Sequence, residues 1–259
     1  MTKPNSAELW RGPSLIDGAP IVVIVSGLNA SANSKTGNML QTYILRADVA
    51  PTDAIRSGAD ASICGDCPAR GDGTGKGRTC YVNVGQGPLA VWRAWQRGTV
   101  PHAVRVDGLF YVGGAANPTC IGAGRMVRLG TYGDPAAVPA DVWHSLTTRA
   151  IGHTGYTHQW RKAFAAPLRT LCMASADSEQ DAADARAAGW RFFRVAFPGD
   201  APRRLDLGES VCPASAEAGY KLTCESCRAC SGANGRRGSI VIQAHGGFAV
   251  MANVRRKGA

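Results

Sequence analysis

Arg169-Thr170-Leu171-Cys172-Met173-Ala174, then Ser178-Glu179-Gln180-Asp181 running on through Ala182–Ala188, then Trp190-Arg191-Phe192-Phe193-Arg194-Val195 follow one another across short turns. The outer pieces are apolar runs of strand length. The middle piece opens with a serine suited to cap a helix and an acidic first turn, and it stops at Gly189. Strand, helix and strand at this spacing predict a βαβ unit with parallel strands. The rhythm extends both ways. Upstream, Arg125–Gly130 reads as a strand, 140–150 as a helix and Gly152–His158 as a strand; downstream, Ser210-Val211-Cys212 and Ser239–Gln243 add two more strands. The class is therefore α/β, and a partial (β/α) barrel fits best, because a Rossmann-like sheet would lack its glycine-rich phosphate turn. One α/β domain over residues 1–259 is expected, with 60–100 a Cys-rich insertion and 210–246 a C-terminal metal-binding segment.

The front of the chain is less regular. Residues 1–20, with Pro4, Pro13 and Pro20, read as an irregular arm. Ile21–Val25 is a β-branched run, and Gln41–Arg46 is a second strand that can pair with it as a hairpin with a long tip. The stretch Gly71-Asp72-Gly73-Thr74-Gly75-Lys76 resembles a phosphate loop but fails the pattern, because Arg70 occupies the first glycine position and Gly77 follows the lysine. Gly87–Arg97 reads as a helix with Pro88 in its first turn. On it Trp92 and Trp95 can share one face and Arg93 and Arg97 another. The tryptophans are expected to pack inward, while Arg93 and Arg97 are the candidate phosphate contacts of a nucleic-acid-binding surface.

Composition narrows the setting. A 45% hydrophobic share over 259 residues allows a sizeable core without disulfide staples. No stretch approaches the roughly 18–20 apolar residues of a membrane span, so no membrane partner and a cytoplasmic setting are expected. The net charge of +10 favours polyanions such as nucleic acid.

Nine cysteines in a reducing compartment point to metal or catalysis rather than to disulfides. Cys224, Cys227 and Cys230 stand at CxxCxxC spacing, with Cys212 before them and His245 after as alternative fourth ligands. Cys64, Cys67 and Cys80 form an earlier metal-ligand set, while Cys120 and Cys172 are isolated and read as small buried hydrophobes. Structural zinc sites usually draw on two separated ligand pairs, so three thiols in one run favour an iron–sulfur cluster over zinc.

The ends of the expected strands carry Tyr132 and Asp134, Tyr156 and His158, Ser175 and Asp177, Cys212 and His245, as the functional rim of a barrel would. Asp134 and Asp177 are the candidate catalytic carboxylates, one as nucleophile and the other managing protons. Tyr132, Tyr156, His158 and Trp160 are candidate substrate contacts.

The CxxCxxC run with a separate Cys212-Pro213 is similar to bacterial ferredoxin ligands, with the order of the two reversed. The metal motif partly resembles that of queuine tRNA-ribosyltransferases, zinc-bearing (β/α) barrels, although its first spacing differs and His245 lies nearer. Radical SAM barrels are similar in architecture alone. Across more of the chain, Asn33-Ser34-Lys35-Thr36-Gly37, Ile63-Cys64-Gly65-Asp66-Cys67-Pro68, Cys80-Tyr81-Val82-Asn83 and Leu129-Gly130-Thr131-Tyr132-Gly133-Asp134-Pro135 resemble an uncharacterised family of tailed-phage and prophage proteins. That resemblance implies a phage protein in the host cytoplasm and no particular activity. Three functions follow as expectations: an iron–sulfur protein, enzymatic through redox or substrate binding at its cluster; a guanine or deazaguanine base-exchange transglycosylase with structural zinc; and a non-catalytic, metal-stabilised nucleic-acid-binding protein gripping phosphates with its Arg255-Arg256-Lys257 tail.

Overall fold

The computed structural model describes residues 4–31, 33–114, 117–233 and 237–244. Strands β1 (Ser6–Pro13), β2 (Pro20–Ser26) and β3 (Leu40–Arg46) lead into helices α1 (Pro51–Ser57), α2 (Ala61–Cys64) and α3 (Gly87–Gln96). A small antiparallel sheet of β4 (Val104–Val106), β5 (Leu109–Val112) and β6 (Thr119–Cys120) follows. Next come β7 (Met126–Tyr132), α4 (Ala140–Thr147), β8 (Gly152–Thr154), β9 (Tyr156–Thr157), β10 (Met173–Ala176), α5 (Glu179–Ala187), β11 (Phe192–Ala196), β12 (Glu209–Val211), α6 (Cys224–Cys227) and β13 (Ser239–Gln243).

Two five-stranded sheets organise the molecule, and the chain mixes helix and sheet as an α/β protein does. The first sheet has the order β1-β2-β3-β7-β8 and the second β12-β13-β11-β10-β9. The hairpin β2–β3 pairs antiparallel, with Ile21 opposite Arg46, whereas β3–β7 and β7–β8 are parallel. Every pairing in the second sheet is parallel. Only Gly155 separates β8 from β9, so the chain passes directly from one sheet into the other. The expected βαβ unit is β10-α5-β11, with Ser178 Oγ accepting the Asp181 amide at 3.0 Å as the helix cap.

Two elements differ from the sequence reading. Residues 6–13 are not an irregular arm but strand β1, antiparallel to β2 with a bulge between Glu8 and Trp10. Pro13 and Pro20 sit at strand ends, where a missing N–H breaks no interior ladder bond. Residues 163–170 form a 3₁₀ turn, so the strand expected over 169–174 starts only at Met173, beyond Pro167 and Arg169.

The faces of the second sheet separate two environments. Thr157, Ala174, Ala176 and Phe192 are buried; the last three join the main core with Ile21–Val25, Ile44, Val127, Leu129 and Trp143. Tyr156, Met173, Phe193, Ile240 and Ile242 form a smaller apolar cluster together with Cys212 and Cys230. Beside it, Arg194 and Glu209, both fully buried, pair through Nε–Oε1 at 2.6 Å and Nη2–Oε2 at 2.8 Å, tying β11 to β12. Glu209 Oε2 also accepts the Arg204 amide at 2.7 Å and so pins the crossover between these strands.

Glu209→Ala strands the buried guanidinium and is expected to cost about 3–5 kcal/mol, read as a lower denaturant midpoint, whereas the apolar pair Arg194→Met with Glu209→Leu should cost less than that single change.

Candidate metal centres and the adjoining cleft

The later thiols come from three segments. Cys212 follows β12, and its amide donates to Val241 O at 2.8 Å. Cys224 and Cys227 lie one turn apart on α6, which Thr223 and Ser226 start with a reciprocal capping box. Arg228, left-handed at φ +55°, ends that turn and returns the chain toward Cys230. The loop 33–38 docks on α6: the Cys224 and Glu225 amides donate to Lys35 O and Thr36 O, each at 3.1 Å, and Glu225 Oε2 accepts the Asn38 amide at 2.8 Å. Gly37, at φ +75°, makes that approach possible, because a Cβ there would stand 2.5 Å from Glu225 Oε2 and 3.0 Å from its Cβ. Arg191, at the mouth of β11, clamps the final thiol's loop by donating to Ala229 O at 2.9 Å and Gly238 O at 2.6 Å. The Gly155 amide donates to Cys230 O at 3.2 Å.

These four sulfurs sense one another. Burial pushes the Cys230 thiol up to about 12 against a hydrogen bond from the Tyr156 hydroxyl, with Cys212, Cys224 and Cys227 adding to the rise. Burial also raises Cys212 against an amide hydrogen bond from Ala214, with Cys224 and Cys227 contributing. Cys224 rises through burial and Cys227, opposed by the nearby Arg128 and Lys35.

The earlier thiols form a separate group. Cys64 ends α2, Cys67 follows the turn at Gly65, and Cys80 returns from the glycine-rich loop, its amide on Ala69 O at 3.1 Å. Gly65, at φ +53°, would place a Cβ 2.4 Å from the Gln159 side chain, whose Nε2 donates to Cys64 O at 3.3 Å. Burial raises Cys64 well above the ordinary thiol value, with Cys67, Asp60 and Cys80 adding to it. Burial raises Cys80 too, against the Arg78 charge and an amide hydrogen bond from Val82.

His158 joins this group. Its Nε2 lies 3.2 Å from Asp177 Oδ2, and its ring hydrogen-bonds Cys67. Burial opposes its charge, yet Asp177 and Cys67 together hold the imidazole well above its ordinary range. His158 and Asp177 also line a cleft of about 520 Å³ with Asp66, Trp160, Lys162 and Ser175. The cleft lies at the C-terminal ends of the parallel strands β9 and β10, where open α/β sheets place their ligands. Its basic groups are paired: Lys162 with Asp66 at 2.9 Å, and Arg161 with Asp181 at 2.7 Å while stacked over Trp160.

The remaining candidates fall elsewhere. Asp134 is buried and its carboxylate is committed: Oδ1 accepts the Ala136 amide at 2.9 Å and Oδ2 the His158 amide at 2.8 Å. Burial raises it above the usual carboxylate value against those hydrogen bonds. It does not line the cleft with Asp177. Tyr132 is 2% exposed, and its hydroxyl has no hydrogen-bond partner among the described residues. Trp160 Nε1 donates to Ser175 O at 3.1 Å. Arg93 and Arg97 are exposed, while Trp92 and Trp95 pack against the core with their indoles on Arg46 O and the Glu8 carboxylate. His245 and the Arg255-Arg256-Lys257 tail lie outside the described residues.

His158, expected at a substrate, lines the cleft and also lies beside Cys67. Two participants were not anticipated. Arg191 was read only as a strand residue. Arg128, with Nη2 2.7 Å from the Tyr81 hydroxyl, is also an electrostatic neighbour of Tyr156 and Cys224. Sequence carries no signal for the last two beyond an arginine in an apolar run, where a buried cation needs a partner.

Among the described residues no three His, Cys, Asp or Glu side chains close on a single metal ion. No protein-family model, curated protein or solved structure matches the chain significantly. No helix among the described residues is long and apolar enough to cross a membrane.

Gly37→Ala should loosen the loop 33–38 from α6. In metal-free protein, alkylation of Cys224 and Cys227 is expected to quicken relative to wild type while Cys172 stays protected, followed by mass spectrometry.

Proposed function

We propose that this chain is an iron–sulfur protein in which Cys212, Cys224, Cys227 and Cys230 hold a cluster, and that the cluster serves redox or substrate-binding chemistry. The partial (β/α) barrel and a phage setting belong to this reading. The observation that carries it is the placement of Cys212 and Cys230 in one apolar cluster, with Cys224 and Cys227 near enough to act on their charge. The Tyr156 hydroxyl and the Ala214 amide are close enough to favour the charged forms of Cys230 and Cys212. Hydrogen bonds to sulfur of this kind tune cluster potentials.

The donor set also bears on the metal. All four donors are soft thiols, which suit iron–sulfur clusters and zinc. A tetrahedral zinc with bonds of about 2.3 Å would draw its sulfurs to within roughly 3.8 Å of one another. Cys212, not His245, is the fourth ligand in this proposal.

The base-exchange reading needs Asp134 and Asp177 to face one substrate, and the commitment of Asp134 to two backbone amides favours the cluster instead. The nucleic-acid reading keeps the net charge and the exposed Arg93 and Arg97, but the inward indoles of Trp92 and Trp95 offer no stacking platform beside them.

Protein purified without oxygen is expected to be brown, with iron and acid-labile sulfide in equal amounts, and Cys224→Ser with Cys227→Ser should remove the share bound by the later thiols. Colourless protein carrying stoichiometric zinc lost on the same substitutions would overturn the proposal.

A further inference from the structure

We infer that Cys67, His158 and Asp177 form a nucleophilic triad in the wall of the cleft, with a polar carboxylic ester or amide as its class of substrate. The inference uses none of the later thiols and stands whether or not they hold a cluster.

Backbone contacts bring the members together. Asp134 Oδ2 accepts the His158 amide at 2.8 Å, and the Asp134 amide donates to Ile63 O at 2.6 Å. Gln159 Nε2 donates to Cys64 O at 3.3 Å, and Gly65 packs against the same side chain. Lys162 Nζ pairs with Asp66 Oδ2 at 2.9 Å. Residues 63–66 are thereby laid along 158–162, and Cys67 comes next. Asp66 and Pro68, on either side of it, line the cleft together with His158 and Asp177.

Within that frame the three side chains stand in a row. His158 Nε2 meets Asp177 Oδ2 at 3.2 Å, which leaves Nδ1 to the Cys67 thiol that the ring hydrogen-bonds. Proton transfer needs such a row: a nucleophile on a base, and the base on an orienting group. A metal instead needs its ligands around one point, and among the described residues no three such groups close on an ion. Cys67 is partly exposed and His158 and Asp177 are each 24% exposed, so a substrate can reach them. Against burial, Asp177 and Cys67 favour the charged ring, and a thiol beside an imidazolium is poised as thiolate.

The chemistry is acyl transfer to water. The Cys67 sulfur attacks the carbonyl carbon while its proton passes to His158 Nδ1. The C=O electron pair moves onto oxygen, and Lys162, lining the same cleft, supplies positive charge for it. Collapse expels the alcohol or amine, which takes the proton from His158 and leaves a thioester on Cys67. Water then attacks the thioester, giving its proton to His158; the acid departs and the thiol is restored. Asp177 touches no reacting atom and is a positioning residue that holds the ring. A cleft of about 520 Å³ suits a small molecule, and the Lys162–Asp66 and Arg161–Asp181 pairs give its walls charges of both signs, as a polar acyl compound requires.

The test mixes the full chain with p-nitrophenyl acetate, follows nitrophenolate release and locates the acetyl group by mass spectrometry. A burst of one nitrophenolate per chain is expected, with the acetyl group on Cys67, and Cys67→Ser should abolish it. His158→Ala should slow the burst about 100-fold or more. Added imidazole should restore part of that rate, a recovery that a misfolded chain would not give. Asp177→Asn should slow the wild-type burst about 10-fold or more, yet add nothing in the His158→Ala background, because it acts only through the ring. The triad is overturned if Cys67 is acetylated no faster than free glutathione at the same pH, if His158→Ala reacts at the wild-type rate, or if the purified chain carries zinc that Cys67→Ser removes. Equal slowing by Asp177→Asn with and without His158 would remove the positioning role.

Discussion

The short run Tyr156-Thr157-His158 is the constraint on which the rest depends. Tyr156 offers its hydroxyl to Cys230, and His158 sits between Cys67 and Asp177. Thr157 turns to the buried side at 1% exposure. Alternation along an extended segment produces this division, because neighbouring side chains point to opposite faces. The two thiol groups, from opposite halves of the sequence, thus meet one short piece of backbone. Gly155 fixes that backbone by donating to Cys230 O and accepting from the Met173 amide.

Around this seam, irregular segments are held by buried polar groups more than by regular structure. Asp134 joins the turn after β7 to the end of β9 through two amides. Arg191 holds the Cys230 loop by its carbonyls, and Arg194 with Glu209 holds the β11–β12 crossover. Arg125 likewise spans Gly27 O and Asn38 O. Much of the arginine content is therefore structural wiring, since a guanidinium can satisfy several carbonyls at once where a loop cannot form its own ladder. A basic total of +10 gives less reason to look for a polyanion once these roles are assigned.

Legibility followed the range of the interactions. The β2–β3 hairpin, α3, α4, the Ser178 cap and the parallel β10-α5-β11 unit rest on local pattern and were readable. Strand β1 was missed because its prolines read as breakers, although they stand at strand ends. Tyr132, Asp134, His158, Asp177 and Cys212 do fall at or just beyond strand ends, as a rim requires, but a rim position did not reveal that Asp134 is a cap and His158 a neighbour of Cys67.

By itself the sequence determined the α/β rhythm, the grouping of the cysteines and the spacing that lets Cys224 and Cys227 share a helical face, because each depends on residues within a few turns of one another. Only the tertiary structure decided that His158 stands beside Cys67 and that Arg128 acts on Cys224. Those relations bring together residues about 80 to 100 positions apart, as from Cys67 to His158 or Arg128 to Cys224, and they arise from sheet order and register, which no local pattern encodes.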